Sequence, residues 1–186
     1  MAWTPRLYSP DVSIKYYRHT GYFVGGVDGV NECMIIDPND GDVMPNCVGY
    51  TWGRWYEAFD TRPRLSTGNA GDWYAYNDGY RRSPATPTLG AIACFSSDSY
   101  GHVCVVEQII DATHVNTSNS AIGGPRFWQE ILEYANGTWN RTRAFGYTFQ
   151  GFILPPGGGQ KKYWLWLAGQ RRFSNGRSRI INNRRF

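Results

Sequence analysis

The sequence predicts an α+β domain in which one helix comes first and antiparallel strands follow. Three observations carry this. Pro45-Asn46 precedes an apolar stripe, Val48, Trp52, Trp55 and Phe59, whose offsets of four, three and four are helical. Farther on, the β-rich run Gly101–Ile110 is turned at Asp111–Thr113 and answered by His114–Ser120. The chain also pairs 22 glycines and 16% aromatics with only 18% charged residues, a composition that excludes disorder and suits a loop-rich, strand-rich fold. Its 186 residues are enough for one domain with a real core.

The first part of the chain carries weaker signals. Ile14–Tyr17 and Tyr22–Val24 read as short strands, with Gly25-Gly26 and Asp28-Gly29 as turns. Asp37-Pro38-Asn39-Asp40-Gly41-Asp42 is a turn cluster before the helix. Asn46 is a suitable N-cap, because its side-chain oxygen can accept a free N–H of the first turn. The helix runs to about Phe59, and Thr61–Leu65 is a loop. Gly68–Tyr76 predicts a short helix. Pro84 and Pro87 mark an extended approach to a strand over Leu89–Phe95, and Ser96–Tyr100 is a polar turn. After the central hairpin, Pro125 opens a predicted helix with Phe127, Ile131 and Tyr134 on one side, ended by Asn136-Gly137. Phe145, Tyr147, Phe149, Gly151 and Ile153 alternate as a last strand. Pro155-Pro156-Gly157-Gly158-Gly159 is a linker, which divides the chain into a domain over 1–156 and a tail over 157–186. That tail holds eight Lys/Arg and no Asp/Glu, against a mildly acidic body.

Cys47 falls in the first turn of the helix, where unpaired N–H groups and the helix dipole favour negative charge. A thiol placed there is expected to ionise more readily and so become nucleophilic. A nucleophilic thiol needs a base, usually histidine, and a third group to orient the imidazole. Of His19, His102 and His114, His102 opens the central strand directly after Gly101, which leaves room for a partner. Glu107 is rejected as the orienting group: five positions on, it points to the opposite face of a regular strand, where it meets solvent or holds a loop. Asn116 and Asn119 lie on the returning strand, and spacing alone leaves the register between them open. Cys33, Cys94 and Cys104 complete the cysteines. No C-x-x-C spacing suggests zinc, and Cys104 reads as core.

Five blocks in order then resemble a known family. They are Asn46–Arg54, Gly68-Asn69-Ala70 with Trp73, Pro87-x-x-Gly90-Ala91-Ile92, Gly101–Glu107 and Phe149–Ile153. Together they resemble the CHAP domain, the cysteine- and histidine-dependent amidohydrolase/peptidase family, over about residues 44–153. The resemblance implies a papain-like architecture, with the helix carrying Cys47 packed on an antiparallel sheet. It implies Cys47 as nucleophile and His102 as general base. The family usually has a Ser-Glu pair for its third member, and here Ser118-Asn119 stands in that place, so Asn119 replaces glutamate. An amide oxygen still accepts from an imidazole N–H, as in Cys-His-Asn sites. Oxyanion donors would be the Cys47 backbone N–H and the Asn46 side chain, although Asn46 is expected to be unable to cap the helix and face substrate at once.

The family acts mainly on bacterial peptidoglycan. The resemblance therefore implies a cell-wall hydrolase that cuts the N-acetylmuramoyl-L-alanine amide or a stem or cross-bridge peptide. An endolysin or virion-associated bacteriophage protein would fit an N-terminus without an apolar secretory segment: made in the host cytoplasm, it would act on the wall with antimicrobial effect. An amidase or peptidase on a non-wall substrate, and a catalytically idle virion protein of the same fold, are the competing expectations. No cofactor is expected. A lesser alternative is calcium on Asp37, Asn39, Asp40 and Asp42, which resemble the first half of a calcium loop, although Val48 stands at its twelfth position. The basic tail would contact an anionic wall polymer or another subunit. No apolar run reaches membrane-spanning length.

Overall fold

The computed structural model describes residues 3–18 and 42–157, with the backbone alone at 165–167 and 170–172. His19, Cys33, the strand expected at Tyr22–Val24, its flanking turns, Asp37–Gly41 and most of the basic tail lie outside the described residues.

Helix α1 spans Cys47–Phe59. Asn46 caps it in extended conformation, its side-chain oxygen accepting from the Val48 and Gly49 N–H groups at 2.7 and 3.2 Å. The helix ends at Asp60, left-handed at φ 49°, whose carboxylate takes Lys15 Nζ at 2.7 Å and the Tyr16 hydroxyl at 2.8 Å. Two glycines on α1 admit the N-terminal segment across the helix. A Cβ on Gly49 would stand 2.5 Å from the Val43 carbonyl oxygen, and one on Gly53 2.7 Å from that of Tyr16. Ile14–Tyr17 turns rather than forming a strand, because the Tyr17 and Arg18 N–H groups both bond to the Ile14 carbonyl at 3.1 Å. That turn buries Tyr17 against Tyr50.

The strands are β1 (Arg82–Ser83), β2 (Ile92–Ser96), β3 (His102–Ile109), β4 (His114–Asn119), β5 (Trp128–Ala135), β6 (Thr138–Arg141) and β7 (Thr148–Ile153). They form one seven-stranded sheet in the order β1-β7-β2-β3-β4-β5-β6, with every pairing antiparallel. The backbones of β8 (Leu165–Leu167) and β9 (Gln170–Arg172) pair as a separate hairpin. The helix-bearing α+β architecture is thus as expected. The helix expected at Gly68–Tyr76 is a single 3-10 turn over Ala70–Asp72.

The largest departure is at residues 125–135, which form β5 rather than a helix. Asn136 and Gly137 both adopt positive φ, 55° and 81°. Two consecutive left-handed residues make the tight turn that matches strand twist, so Asn-Gly joins a hairpin here instead of ending a helix. The operative period is two: Trp128, Glu130, Leu132 and Tyr134 share one face, opposite Gln129 and Ile131.

Two cores result. One lies under the helix and gathers Trp52, Trp55, Trp73, Tyr17 and Tyr50 with Cys94, Val103 and Ile153. The other lies on the opposite face of the sheet, with Phe95, Cys104, Val106, Leu132, Trp139 and Phe152. Trp139 of β6 packs on Phe152 of β7, so the sheet curls toward closure, and His102 stands at the start of β3 on this inner side. Of the described tryptophans, Trp52, Trp55, Trp73 and Trp139 are therefore core. Phe145 is not in a strand but 94% exposed in the loop before β7.

Glu107 decides a second expectation in favour of holding a loop, the N-terminal segment at Arg6. The parity argument holds, since it faces the helix side, away from His102. It does not meet solvent. It is fully buried, its carboxylate held by Arg54 Nε and Nη2 at 2.9 and 3.0 Å, by the Ser118 hydroxyl at 2.7 Å and by the Arg6 backbone N–H at 2.9 Å. Arg54 also reaches Glu57 and the Thr4 carbonyl, and Arg6 pairs with Glu57. This network fastens the N-terminal segment to both helix and sheet.

Candidate active site

Three elements meet at one end of the sheet: the first turn of α1, the first residue of β3 and the last residue of β4. The register between β3 and β4 slips at Glu107, with Val106 opposite Thr117 but Gln108 opposite Asn116. This bulge is why spacing alone could not choose between Asn116 and Asn119. The structure brings Asn119 to His102: its Oδ1 lies 3.0 Å from the imidazole Nε2. Asn116 instead bonds Gln108 and Gln129, on the helix side of the sheet.

The orientation of the Asn119 amide is set by its other end. Nδ2 donates to the Thr117 hydroxyl at 3.1 Å and the Thr117 carbonyl at 3.3 Å. Oδ1 must therefore be the atom facing His102, and as an acceptor it takes the Nε2–H. That assigns the neutral imidazole its tautomer and leaves Nδ1 as the bare, basic nitrogen. Both side chains are buried.

Cys47 is half-buried, and its sulfur faces the backbone N–H groups of Val103, Val48 and Cys47 itself. Val103 directly follows His102, so the thiol lies against the start of β3. The expectation of a readily ionised thiol is not met. Burial pushes the Cys47 thiol up, outweighing those three N–H groups and the nearby charge of Arg141. Burial likewise pushes the His102 imidazole down to about 4, helped by Arg141 and opposed by the Asn119 hydrogen bond and Glu130. Burial thus favours the neutral form of each group, the thiol and the imidazole.

The neck of the helix is tied to the end of β4. The Asn46 backbone N–H donates to the buried Ser120 hydroxyl at 3.0 Å, one residue past Asn119. Asn46 takes the capping role that was expected of it. Capping occupies its amide oxygen, and the amide nitrogen is a separate donor.

The space that Gly101 leaves is filled by the backbone of the 70–72 turn and of Phe95, not by a partner for His102. Gly101 has φ 73°, and a Cβ there would stand 2.5 Å from the Gly71 nitrogen. Gly101→Ala is expected to cost about 2 kcal/mol or more from left-handed strain and overlap, read as a lower denaturant midpoint. A midpoint equal to that of the parent would show that the 70–72 turn yields freely.

Of the four residues considered for calcium, only Asp42 is described. Its carboxylate already accepts the Met44 N–H at 2.7 Å and Arg126 Nη2 at 2.8 Å. Among the described residues, no cluster of three His, Cys, Asp or Glu side chains gathers to hold a metal, and no helix is long and apolar enough to cross a membrane.

Sequence reasoning missed Ser120, Trp128, Glu130, Arg141 and Tyr147 around the site. Trp128 and Glu130 were hidden by a helical period assigned to β5, and Asn136-Gly137 was the signal that could have recovered them. The family model for the CHAP domain matches residues 36–121, a span that contains Cys47, His102 and Asn119. With its helix packed on a papain-like antiparallel sheet, the chain carries a CHAP domain.

Proposed function

We propose that this protein is a thiol-dependent amidohydrolase acting on bacterial peptidoglycan, with Cys47 as nucleophile, His102 as general base and Asn119 as the group that orients the imidazole. The observation that carries it is the 3.0 Å contact between Asn119 Oδ1 and His102 Nε2, beside the thiol at the helix start. As Sγ attacks an amide carbonyl, His102 Nδ1 takes the thiol proton, so neither charge exists at rest. The tetrahedral oxyanion is stabilised by the Cys47 N–H and the Asn46 amide nitrogen. His102 then gives its proton to the leaving amine, producing a thioester. Water deprotonated by His102 opens the thioester and restores the thiol.

The CHAP match supports this substrate class, and the bond proposed is the muramoyl–alanine amide or a stem or cross-bridge peptide bond, as in a wall lysin of a bacteriophage. Digestion of purified walls, with mass spectrometry of the products, tests it. A newly freed alanine N-terminus with intact glycan identifies an amidase, and cleaved stems or bridges identify an endopeptidase. Release of soluble peptides with walls left untouched would move the protein to a non-wall substrate. A chain cut after Pro156, compared on walls and on soluble peptides, separates wall attachment by the basic tail from turnover.

Asn119→Ala is expected to lower kcat by roughly ten- to a hundredfold with KM changed much less, because Asn119 touches the base and not the substrate. Asn119→Asp restores an acceptor and should recover part of the loss. Asn116→Ala is the control. A series in which Asn116→Ala is the crippling change and Asn119→Ala is near the parent rate would show the wrong orienting residue.

A further inference from the structure

His102 has two aromatic neighbours besides Asn119. The Trp128 ring stacks on the imidazole, with centroids 5.9 Å apart and planes 24° from parallel. Tyr147 meets it edge-on at 6.1 Å and 67°. Each of these rings is tied to one member of a buried ion pair. Arg141 Nη2 and Nε reach Glu130 Oε2 at 2.8 and 3.3 Å, with the two side chains 5% and 0% exposed. Trp128 Nε1 donates to the same Glu130 oxygen at 3.5 Å, and the Arg143 N–H holds the other oxygen at 3.0 Å. The Arg141 guanidinium lies 4.7 Å over the Tyr147 ring.

A buried ion pair gains little over a well-packed apolar pair in stability. This one joins the β5–β6 hairpin to both rings that bracket the imidazole. We infer that Glu130 and Arg141 are positioning residues for the base: the pair fixes Trp128 against one face of His102 and Tyr147 against its side, holding Nε2 on Asn119 and Nδ1 free for the thiol. The catalytic meaning of this strut rests on the thiol-hydrolase proposal, but the strut itself is a statement about His102 alone.

The groups that bear on the imidazole are Asn119 from β4, Trp128 and Glu130 from β5, Arg141 from β6 and Tyr147 from the loop before β7, with the Cys47 thiol against the N–H of the next residue, Val103. Arg141 disfavours imidazolium and Glu130 favours it, Arg141 more strongly, while burial by the rings disfavours it most. Loosening the strut therefore acts in one direction: the imidazole takes a proton more readily and loses its single tautomer.

The full chain labelled with nitrogen-15 in its histidine rings tests this without any substrate. In the parent, His102 should show the Nε2–H tautomer alone and titrate well below an ordinary histidine. The double variant Glu130→Met/Arg141→Met replaces the pair with apolar volume. It should admit the second tautomer and raise the His102 midpoint by roughly one pH unit or more. On a substrate that the parent hydrolyses, kcat should fall about tenfold with KM little changed. Arg141→Lys keeps the charge and should restore part of the tautomer preference. If the double variant does not fold, Tyr147→Ala, at a partly exposed ring, decides with the same readouts. A folded variant whose tautomer and midpoint match the parent overturns the inference. A parent that turns over no amide overturns the hydrolase proposal instead and leaves the nuclear magnetic resonance result standing.

Discussion

Cys47→Ala is expected to abolish turnover, with a loss of at least about a thousandfold on any amide substrate, while the chain stays folded. The substitution removes the sulfur proposed to form the thioester. It leaves the Asn46 cap, the Ser120 tie and the Asn119–His102 bond in place. Stability should stay within about 1 kcal/mol of the parent, since little volume is removed from a half-buried position. The site also predicts a pH signature. His102 is held neutral down to about 4, whereas an unfolded histidine takes a proton near 6.5. The folded value is the lower one, so this stabilisation is complete above about 6.5 and is lost as pH falls toward 4. His102→Gln should flatten that part of the stability–pH curve. Full activity in Cys47→Ala, followed by wall digestion, would remove the thiol mechanism altogether.

Glu107→Ala is expected to have the largest effect on stability, about 3–5 kcal/mol, enough to unfold a marginal domain. The carboxylate is fully buried, and its removal strands the guanidinium of Arg54, itself only 4% exposed. It also releases the Ser118 hydroxyl and the Arg6 N–H. Glu107→Gln keeps shape and acceptor but loses charge, and should cost less. The apolar pair Arg54→Met/Glu107→Leu should cost less than Glu107→Ala, because no charge is left behind. Urea denaturation of the three variants checks the order. A Glu107→Ala midpoint close to that of the parent would mean that water reaches Arg54 and the network is dispensable.

Much of the site was legible because its signals are local. Pro45-Asn46 and the stripe through Phe59 define a helix by capping and period, and they put Cys47 in its first turn with no help from the rest of the chain. Gly101-His102 at the head of a β-branched run is equally local, and the order of the five blocks carried the family. Asn116 against Asn119 was not legible, because the choice depends on a one-residue bulge at Glu107 that no local pattern reveals. Residues 125–135 misled for a related reason. Their apolar residues satisfy a helical period nearly as well as an alternating one, and only Asn136-Gly137 discriminates.

The sequence by itself determined the helix with its cysteine, the central hairpin with its histidine, and the α+β order, since each follows from propensity, capping and periodicity within about a dozen residues. Tertiary structure alone decided the electrical state of the site. The helix terminus favours a thiolate, yet burial overrides it and leaves Cys47 and His102 neutral, because desolvation depends on every segment that covers them. It also decided that Glu107 is buried and that Glu130 and Arg141 pair near His102, for charges far apart in sequence acquire their partners only when the sheet curls and the N-terminal segment crosses the helix.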